Sequence, residues 1–247
     1  MNSTANLGFA ILAAHLLEKF VLQRDRVGDL EERPAAVAFR AARRAALAYL
    51  VAGQWAGWPV PVAVFCIQGL IDCVRPQVVR SDVRMFLGTQ AAHLGAIVLI
   101  AAHFGGGGDS GFWAIRFGPA FPRALAVGCG AIVCIRAAAV LVGFWVQPYL
   151  DEIRRSRPSE PLPDSRGLTN GGRVIGQWER GLIFLFVLIG QPGAIGFLIA
   201  AKSVFRFGEL NDRHNRMEAE YITIGTLMSF GLAVAVAELT RWIASGM

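Results

Sequence analysis

Charge is the scarcest commodity in this chain. Only 17% of its 247 residues are Asp, Glu, Lys or Arg, against 54% hydrophobic. A soluble domain of this length would carry more. Cysteine is also sparse. Cys66, Cys73, Cys129 and Cys134 all fall inside apolar segments, with no Cys-x-x-Cys among them. That argues against a disulfide framework and favours small, polarisable packing residues. The opening Met1-Asn2-Ser3-Thr4 lacks the basic region of a secretory signal, so the first apolar run reads as a retained helix. There is no zinc-finger spacing, no RNA-binding signature and no basic helix with base-reading side chains. A nucleic-acid partner is therefore not expected, despite a net charge of +6 and a pI near 9.7. The run Gly105–Gly108 has neither a strand before it nor Gly-Lys-Ser/Thr after it, which removes a phosphate-binding loop. No serine-histidine-aspartate triad or haem-ligand pair stands out, and no inverted repeat supports a transporter.

Long apolar runs are what the chain does have, with a mean hydropathy of +0.47. They predict an all-α, polytopic transmembrane bundle of about eight helices, at 5–22, 45–57, 59–74, 84–103, 122–146, 175–190, 193–207 and 220–243. Several runs are short, and 45–57 and 193–207 are the ones most open to a tilted or re-entrant path. Tight hairpins are expected at Trp58-Pro59-Val60-Pro61 and Gly190-Gln191-Pro192-Gly193. A Pro-, Ser- and Arg-rich stretch at 151–174 reads as a flexible cytoplasmic linker. It separates a five-helix membrane part, 1–150, from a three-helix part, 175–247.

The arginines sort the loops. Arg24, Arg26, Arg33, Arg40, Arg43 and Arg44 lie on one side with Arg75, Arg80 and Arg84, then with Arg154, Arg155, Arg157, Arg166 and Arg173, and finally with Arg206, Arg213 and Arg216. The alternate loops hold only Arg116 and Arg123, with Arg241 near the end. The positive-inside rule puts the first set in the cytoplasm. The expectation is a multi-pass protein of a bacterial inner membrane with both termini outside the cytoplasm. Its environment is the lipid bilayer, and another membrane protein is a candidate partner.

Ionisable residues inside the runs mark candidate sites, because a charge in hydrocarbon costs roughly 2.5–3.5 kcal/mol on insertion scales. In the front part these are His15, Glu18, Lys19, Gln68, Asp72, Thr89, Gln90 and His93, all expected in one inner-leaflet layer. His15 with Glu18 or Lys19, Gln68 with Asp72, and Thr89 with His93 each share a helix face. If the faces converge, two imidazoles and a carboxylate meet. His15, Asp72 and His93 would then be ligands for a divalent metal such as zinc, whose water could attack an ester or amide. The alternatives are hydrogen bonding across the bundle, proton chemistry or small-ligand binding. In the back part, Glu179, Arg180, Lys202, Arg206 and Glu220 form a second layer. It is read either as an ion-paired collar, led by Glu179–Lys202 or Glu220–Lys202, or as a site for an anionic headgroup. Arg136, in the middle of the fifth run, should turn into the bundle towards Asp72 or Glu18.

Several of these motifs resemble the bacterial domain of unknown function 3307 family. His15-Leu16-Leu17-Glu18-Lys19-Phe20-Val21-Leu22-Gln23 is similar to its His-Leu-x-x-Asp-Phe-x-Leu-Gln opening. Gln68-Gly69-Leu70-Ile71-Asp72 resembles His-x-x-Ile-Asp, and Thr89-Gln90-Ala91-Ala92-His93 resembles Asp-Gln-x-x-His. In the back part, Gly172–Gly176 with Glu179-Arg180, Gly190-Gln191, Ala194–Ser203 and Ala219–Thr226 extend the likeness over nearly the whole chain. The resemblance implies an integral membrane fold and no particular activity. Lys19, Gln68 and Thr89 stand where the family pattern has Asp, His and Asp, which implies that any family metal site is degraded here. A non-catalytic membrane subunit, assembly factor or scaffold is thus the leading expectation. A membrane-embedded metal-dependent hydrolase and a small transporter or lipid-binding protein are the alternatives.

Overall fold

The fold was analysed in a computed structural model, which describes residues 3–23, 34–74, 83–107, 111–156, 171–210 and 216–247. Every regular element among them is helical, so the all-α bundle expected from the apolar runs is what forms. The helices are α1 (Ser3–Leu17), α2 (Pro34–Ala52), α3 (Pro59–Val74), α4 (Val83–Phe104), α5 (Phe112–Phe117), α6 (Ala120–Ile132), α7 (Ala138–Ser156), α8 (Gly171–Leu188), α9 (Gly193–Leu210) and α10 (Arg216–Ser245). A π-turn, Glu18–Leu22, prolongs α1, and another, Val133–Ala137, joins α6 to α7. Four helical stretches are long and apolar enough to cross a membrane: Ser3–Leu22, Val83–Phe104, Ala120–Ser156 and Arg216–Ser245. Pro59–Val74 and Gly193–Val204 are apolar but shorter. The remaining helices pair into two hairpins, α2/α3 and α8/α9, in which α3 and the described part of α9 are short and α2 and α8 carry three charges or more, as the short or re-entrant paths expected for some of the eight runs allow. The chain divides into two units, residues 1–132 with 243–247, and residues 133–242.

In the first unit α1 is the central helix. It is apolar around its whole circumference, the pattern of a helix buried on all sides, and it packs on α2, α4 and α6. Leu7, Ala10, Ile11 and Ala14 meet Ala45, Ala48 and Ala52 of α2, Val60 and Val64 of α3, and Ile97 and Ile100 of α4. The alanines let the backbones approach closely. On α4, Leu94, Val98 and Leu99 point outwards, as a lipid-facing side would.

The largest departure from the sequence expectation is the start of α2. It begins at Pro34, eleven residues before the expected 45, and carries Arg40, Arg43 and Arg44 in its middle rather than in a loop. Proline suits the first helical turn because its missing N–H would have no partner there. The buried face Val37, Ala41, Ala45, Ala48 and Ala52 recurs every three to four residues. That period belongs to an amphipathic helix, and it was present in the sequence beneath the arginines.

Glycines close this unit where close approach demands them. Gly53 ends α2 at φ 62°, and its carbonyl accepts the Phe112 N–H at 2.9 Å. Trp113 Nε1–H donates to Leu50 O at 2.8 Å, tying α5 to the end of α2. A Cβ on Gly53 would lie 2.7 Å from Trp113 Cδ1. Gly53→Ala therefore combines a left-handed backbone with a clash and should cost about 1–3 kcal/mol, read as a lower Tm in detergent. The glycine run has a packing reason too. Ser3 Oγ donates to Gly105 O, and a Cβ on Gly105 would collide with the Thr4 backbone.

The second unit is built from the Val133–Ala137 π-turn and α7 to α10. Its core contains Ile183, Phe184 and Val187 of α8 and Phe230, Ala233 and Ala237 of α10. Gly190, at φ 72°, ends the α8 segment, with Gln191 N–H donating to Phe186 O at 2.8 Å and Gly190 N–H to Val187 O at 3.1 Å. This is the paired-carbonyl helix stop that glycine permits. Of the linker expected over 151–174, residues 157–170 lie outside the described residues. Residues 151–156 instead complete α7, and 171–174 open α8.

Candidate functional site

The front polar residues converge, and two that the sequence had assigned to a loop complete them. Glu18 is fully buried on its π-turn. Arg43 Nη2 donates to its Oε1 at 2.6 Å and Arg44 Nη2 to its Oε2 at 3.0 Å. The same Arg44 Nη2 lies 3.1 Å from Asp72 Oδ2, so one guanidinium bridges carboxylates from α1 and α3. Arg44 is 2% exposed, and removal of both carboxylates and this guanidinium from water is tolerable only as a mutually compensating set. His93 Nε2–H, from α4, donates to Asp72 Oδ1 at 3.1 Å. Four helices are thus tied at one level.

The imidazoles occupy the other half. His15 Nδ1 is 3.4 Å from Gln68 Oε1, and its Nε2 is 3.3 Å from Gln90 Oε1. A neutral ring donates from one nitrogen only, so one of the two carboxamides presents its NH2 to the other. The His15 and His93 rings are 4.7 Å apart, centroid to centroid, and tilted by 41°. Thr89 stays out: its hydroxyl donates to Met85 O of its own helix at 2.9 Å. Lys19 is half-buried beside Glu18.

This geometry corrects the reading of His15, Asp72 and His93 as metal ligands. No group of three or more His, Cys, Asp or Glu among the described residues is arranged to hold a metal ion. Asp72 already faces Arg44 and His93, and both nitrogens of His15 face carboxamides. A cation placed there would confront the Arg44 guanidinium at close range. Protein purified without a histidine tag is expected to carry well under one zinc, iron, manganese or nickel per chain by mass spectrometry.

No family model, curated protein or solved structure matches this chain. Function has to be read from its own geometry.

The second unit holds the other layer. Lys202 Nζ meets Glu179 Oε2 at 2.7 Å, the contact that the sequence placed first, and sits 5.3 Å from the Phe230 ring centroid. Arg180, buried, is the hub. Its Nη2 and Nε donate to Ile135 O at 2.9 and 3.3 Å, and Nη1 donates to Ser229 Oγ at 3.0 Å. A π-turn disturbs the regular helix ladder, and here an outside guanidinium serves one of its carbonyls. Cys134 Sγ–H contacts Arg180 O and Ala233 O at 3.5 and 3.8 Å. Cys134 and Cys129 are buried packing residues, whereas Cys66 and Cys73 stand exposed on α3.

Two expectations fail in this unit. Glu220 does not reach Lys202; it is exposed and accepts from Arg216 Nε at 2.9 Å, one helical turn away. Arg136 is exposed rather than turned inwards, while Glu18 and Asp72 are engaged by Arg43, Arg44 and His93. The Arg206 side chain lies outside the described residues.

Proposed function

We propose that this chain is a multi-pass protein of a bacterial inner membrane that serves as a non-catalytic subunit, assembly factor or scaffold. The observation that carries the reading is the compensated core of the first unit. The residues able to do chemistry, His15, Asp72 and His93, are directed at Arg44, Gln68, Gln90 and each other. Such a set fixes helices in register, the best-attested use of buried polar groups. The likeness to the domain of unknown function 3307 family, with its broken ligand motifs, points the same way.

Arg136 supports a membrane partner. It stands exposed in the apolar helix Ala120–Ser156, where a guanidinium facing lipid is costly and a carboxylate from another helix would relieve it. The arginines that remain between the helices support the orientation. Each of the hairpins α2/α3 and α8/α9 returns to the side it starts from whatever its depth, which is compatible with cytoplasmic cationic loops and both termini outside.

The test is purification from native membranes in mild detergent, without a histidine tag. A second membrane protein at fixed stoichiometry, in complexes that Arg136→Leu disrupts, is the expected result. A partner-free chain with about one metal bound, and a hydrolytic activity lost on chelation, would overturn the proposal in favour of the hydrolase.

A further inference from the structure

The helices of the first unit are tied at two levels. One is the ion cluster, where Arg44 and His93 meet on Asp72. Arg44 stands near the middle of α2, and His93 near the middle of α4. The other level is the far end of both helices. There Gly53 O accepts from Phe112 and Leu50 O from Trp113, which holds the α2/α3 turn to α5, just beyond the end of α4. Ser3 of α1 reaches Gly105 at the same end. α2 therefore runs level with α4, a helix long enough to cross a membrane. At 1.5 Å per residue its 19 residues cover about 28 Å, close to the roughly 30 Å of a hydrocarbon core.

Side chains and backbone at this far end make opposite demands. Trp55, Trp58, Phe112, Ile115 and Phe117 are exposed, Trp58 by 69% and Ile115 by 75%. An apolar surface of that kind is out of place in water. Yet the backbone here leaves the helices: residues 53–58 form the turn, and Gly118 turns the chain again at φ 55°. Peptide groups outside a helix are not tolerated against lipid hydrocarbon. The headgroup boundary meets both demands, and tryptophan rings concentrate there in membrane proteins. Arg116, exposed with its guanidinium 5.7 Å from the Phe117 ring centroid, adds a cation at the depth of the lipid phosphates.

We propose that the α2/α3 hairpin crosses the whole bilayer and that its turn, together with α5, is an anchor seated in the lipid headgroup layer. The anchor lies at the end of the unit opposite Pro34 and Val83, where α2 and α4 begin. The inference rests on the membrane setting proposed above and not on the scaffold role. It gives α2/α3 a full crossing in place of a re-entrant path. It also names the occupant of the exposed aromatic face, which is lipid and not a protein partner.

Two measurements on the full chain test it. In the first, a membrane-impermeant maleimide is applied to right-side-out and to inverted membrane vesicles. Ala35→Cys and Ala56→Cys mark the two ends of α2, and Arg84→Cys and His103→Cys those of α4, all at exposed positions. The exposed Cys66 and Cys73 are replaced by alanine, and the buried Cys129 and Cys134 stay. Ala35→Cys and Arg84→Cys should react from one face only, and Ala56→Cys and His103→Cys from the other only. If the ends of α4 lie on opposite faces but Ala56→Cys reacts from the Ala35→Cys face, or from neither, the crossing is overturned and the membrane setting stands. Ends of α4 that react from one face overturn both. The second measurement needs no cysteine change. The emission that Trp58→Phe removes isolates Trp58 from the other tryptophans, in phosphatidylcholine nanodiscs. A nitroxide on the lipid headgroup should quench it more strongly than one near the end of an acyl chain or than aqueous iodide. Quenching led by the acyl-chain label or by iodide, or absent altogether (a face covered by protein), overturns the anchor.

Discussion

Arg44→Leu is expected to lower stability by about 3–5 kcal/mol, enough to abolish folding in a marginal protein. The size follows from what is left behind rather than from the strength of the ion pair. A buried pair is close to neutral against an apolar isostere, because desolvation of both ions offsets their attraction. Removing one member keeps the desolvation and loses the attraction. Arg44 serves Glu18 and Asp72 at once, and both are buried or nearly so. Arg43→Leu should cost clearly less, because among the described residues Arg43 pairs with one carboxylate, Glu18, and 29% of its side chain is exposed to solvent screening. Thermal unfolding in one detergent ranks the two. Equal losses would mean that Arg44 is not the bridge. The triple replacement Glu18→Leu, Arg44→Met and Asp72→Leu should recover part of the deficit, because it removes the bridging arginine with both its carboxylates, while Arg43 and His93 each lose an acceptor.

Arg180→Leu should produce the second-largest effect. It strips donors from Ile135 O and Ser229 Oγ, at about 1–3 kcal/mol for an acceptor left bare. The two acceptors are not equal. The Ser229 hydroxyl can rotate to a carbonyl of its own helix, whereas Ile135 O is held in place by the π-turn. The cost should therefore fall chiefly on the turn. Ser229→Ala alone should be mild, and adding it to Arg180→Leu should change little further. Arg180→Lys should recover only part of the loss, because a single ammonium on a shorter arm cannot reproduce the fork that reaches both Ile135 O and Ser229. A silent Arg180→Leu would show that α8 is held to this turn by packing alone.

Much of the bundle could be read in advance, for identifiable reasons. α3 was legible to the residue, because Pro59 opens it after a turn and a largely apolar run, broken by Gln68 and Asp72, continues to Val74. The α8/α9 hairpin was legible from Gly190-Gln191-Pro192-Gly193. Glu179–Lys202 was legible because both charges interrupt apolar runs at matching depth on either side of that hairpin. α2 was not. Arg40, Arg43 and Arg44 depress any hydropathy window and read as a cytoplasmic loop. Only partners distant in sequence, Glu18 and Asp72, make their burial possible, and local composition carries no trace of that pairing. The alanine period at 41, 45, 48 and 52 was the available signal. Arg136 failed for the converse reason: depth along a helix was legible, but its azimuth was not, and the π-turn at Val133–Ala137 shifts the face on which later residues emerge.

The same gap explains the metal reading. His15, Asp72 and His93 do meet, as their spacing suggested. What the spacing omitted is Arg44, which turns a plausible cation site into a compensated ion cluster. Pattern placed the ligand-type residues correctly, and a single unrecognised arginine reversed the electrostatics of the site.

The most direct measurement is a double-mutant cycle between Glu18→Gln and Arg44→Met, with unfolding followed in one detergent at fixed ionic strength. If the buried ion cluster locks the helices together, the two changes should be coupled by about 1–3 kcal/mol, the double variant being less damaged than the sum of the singles. Losses that add to within about 0.5 kcal/mol would contradict a structural Arg44–Glu18 bridge, and with it the account of this site.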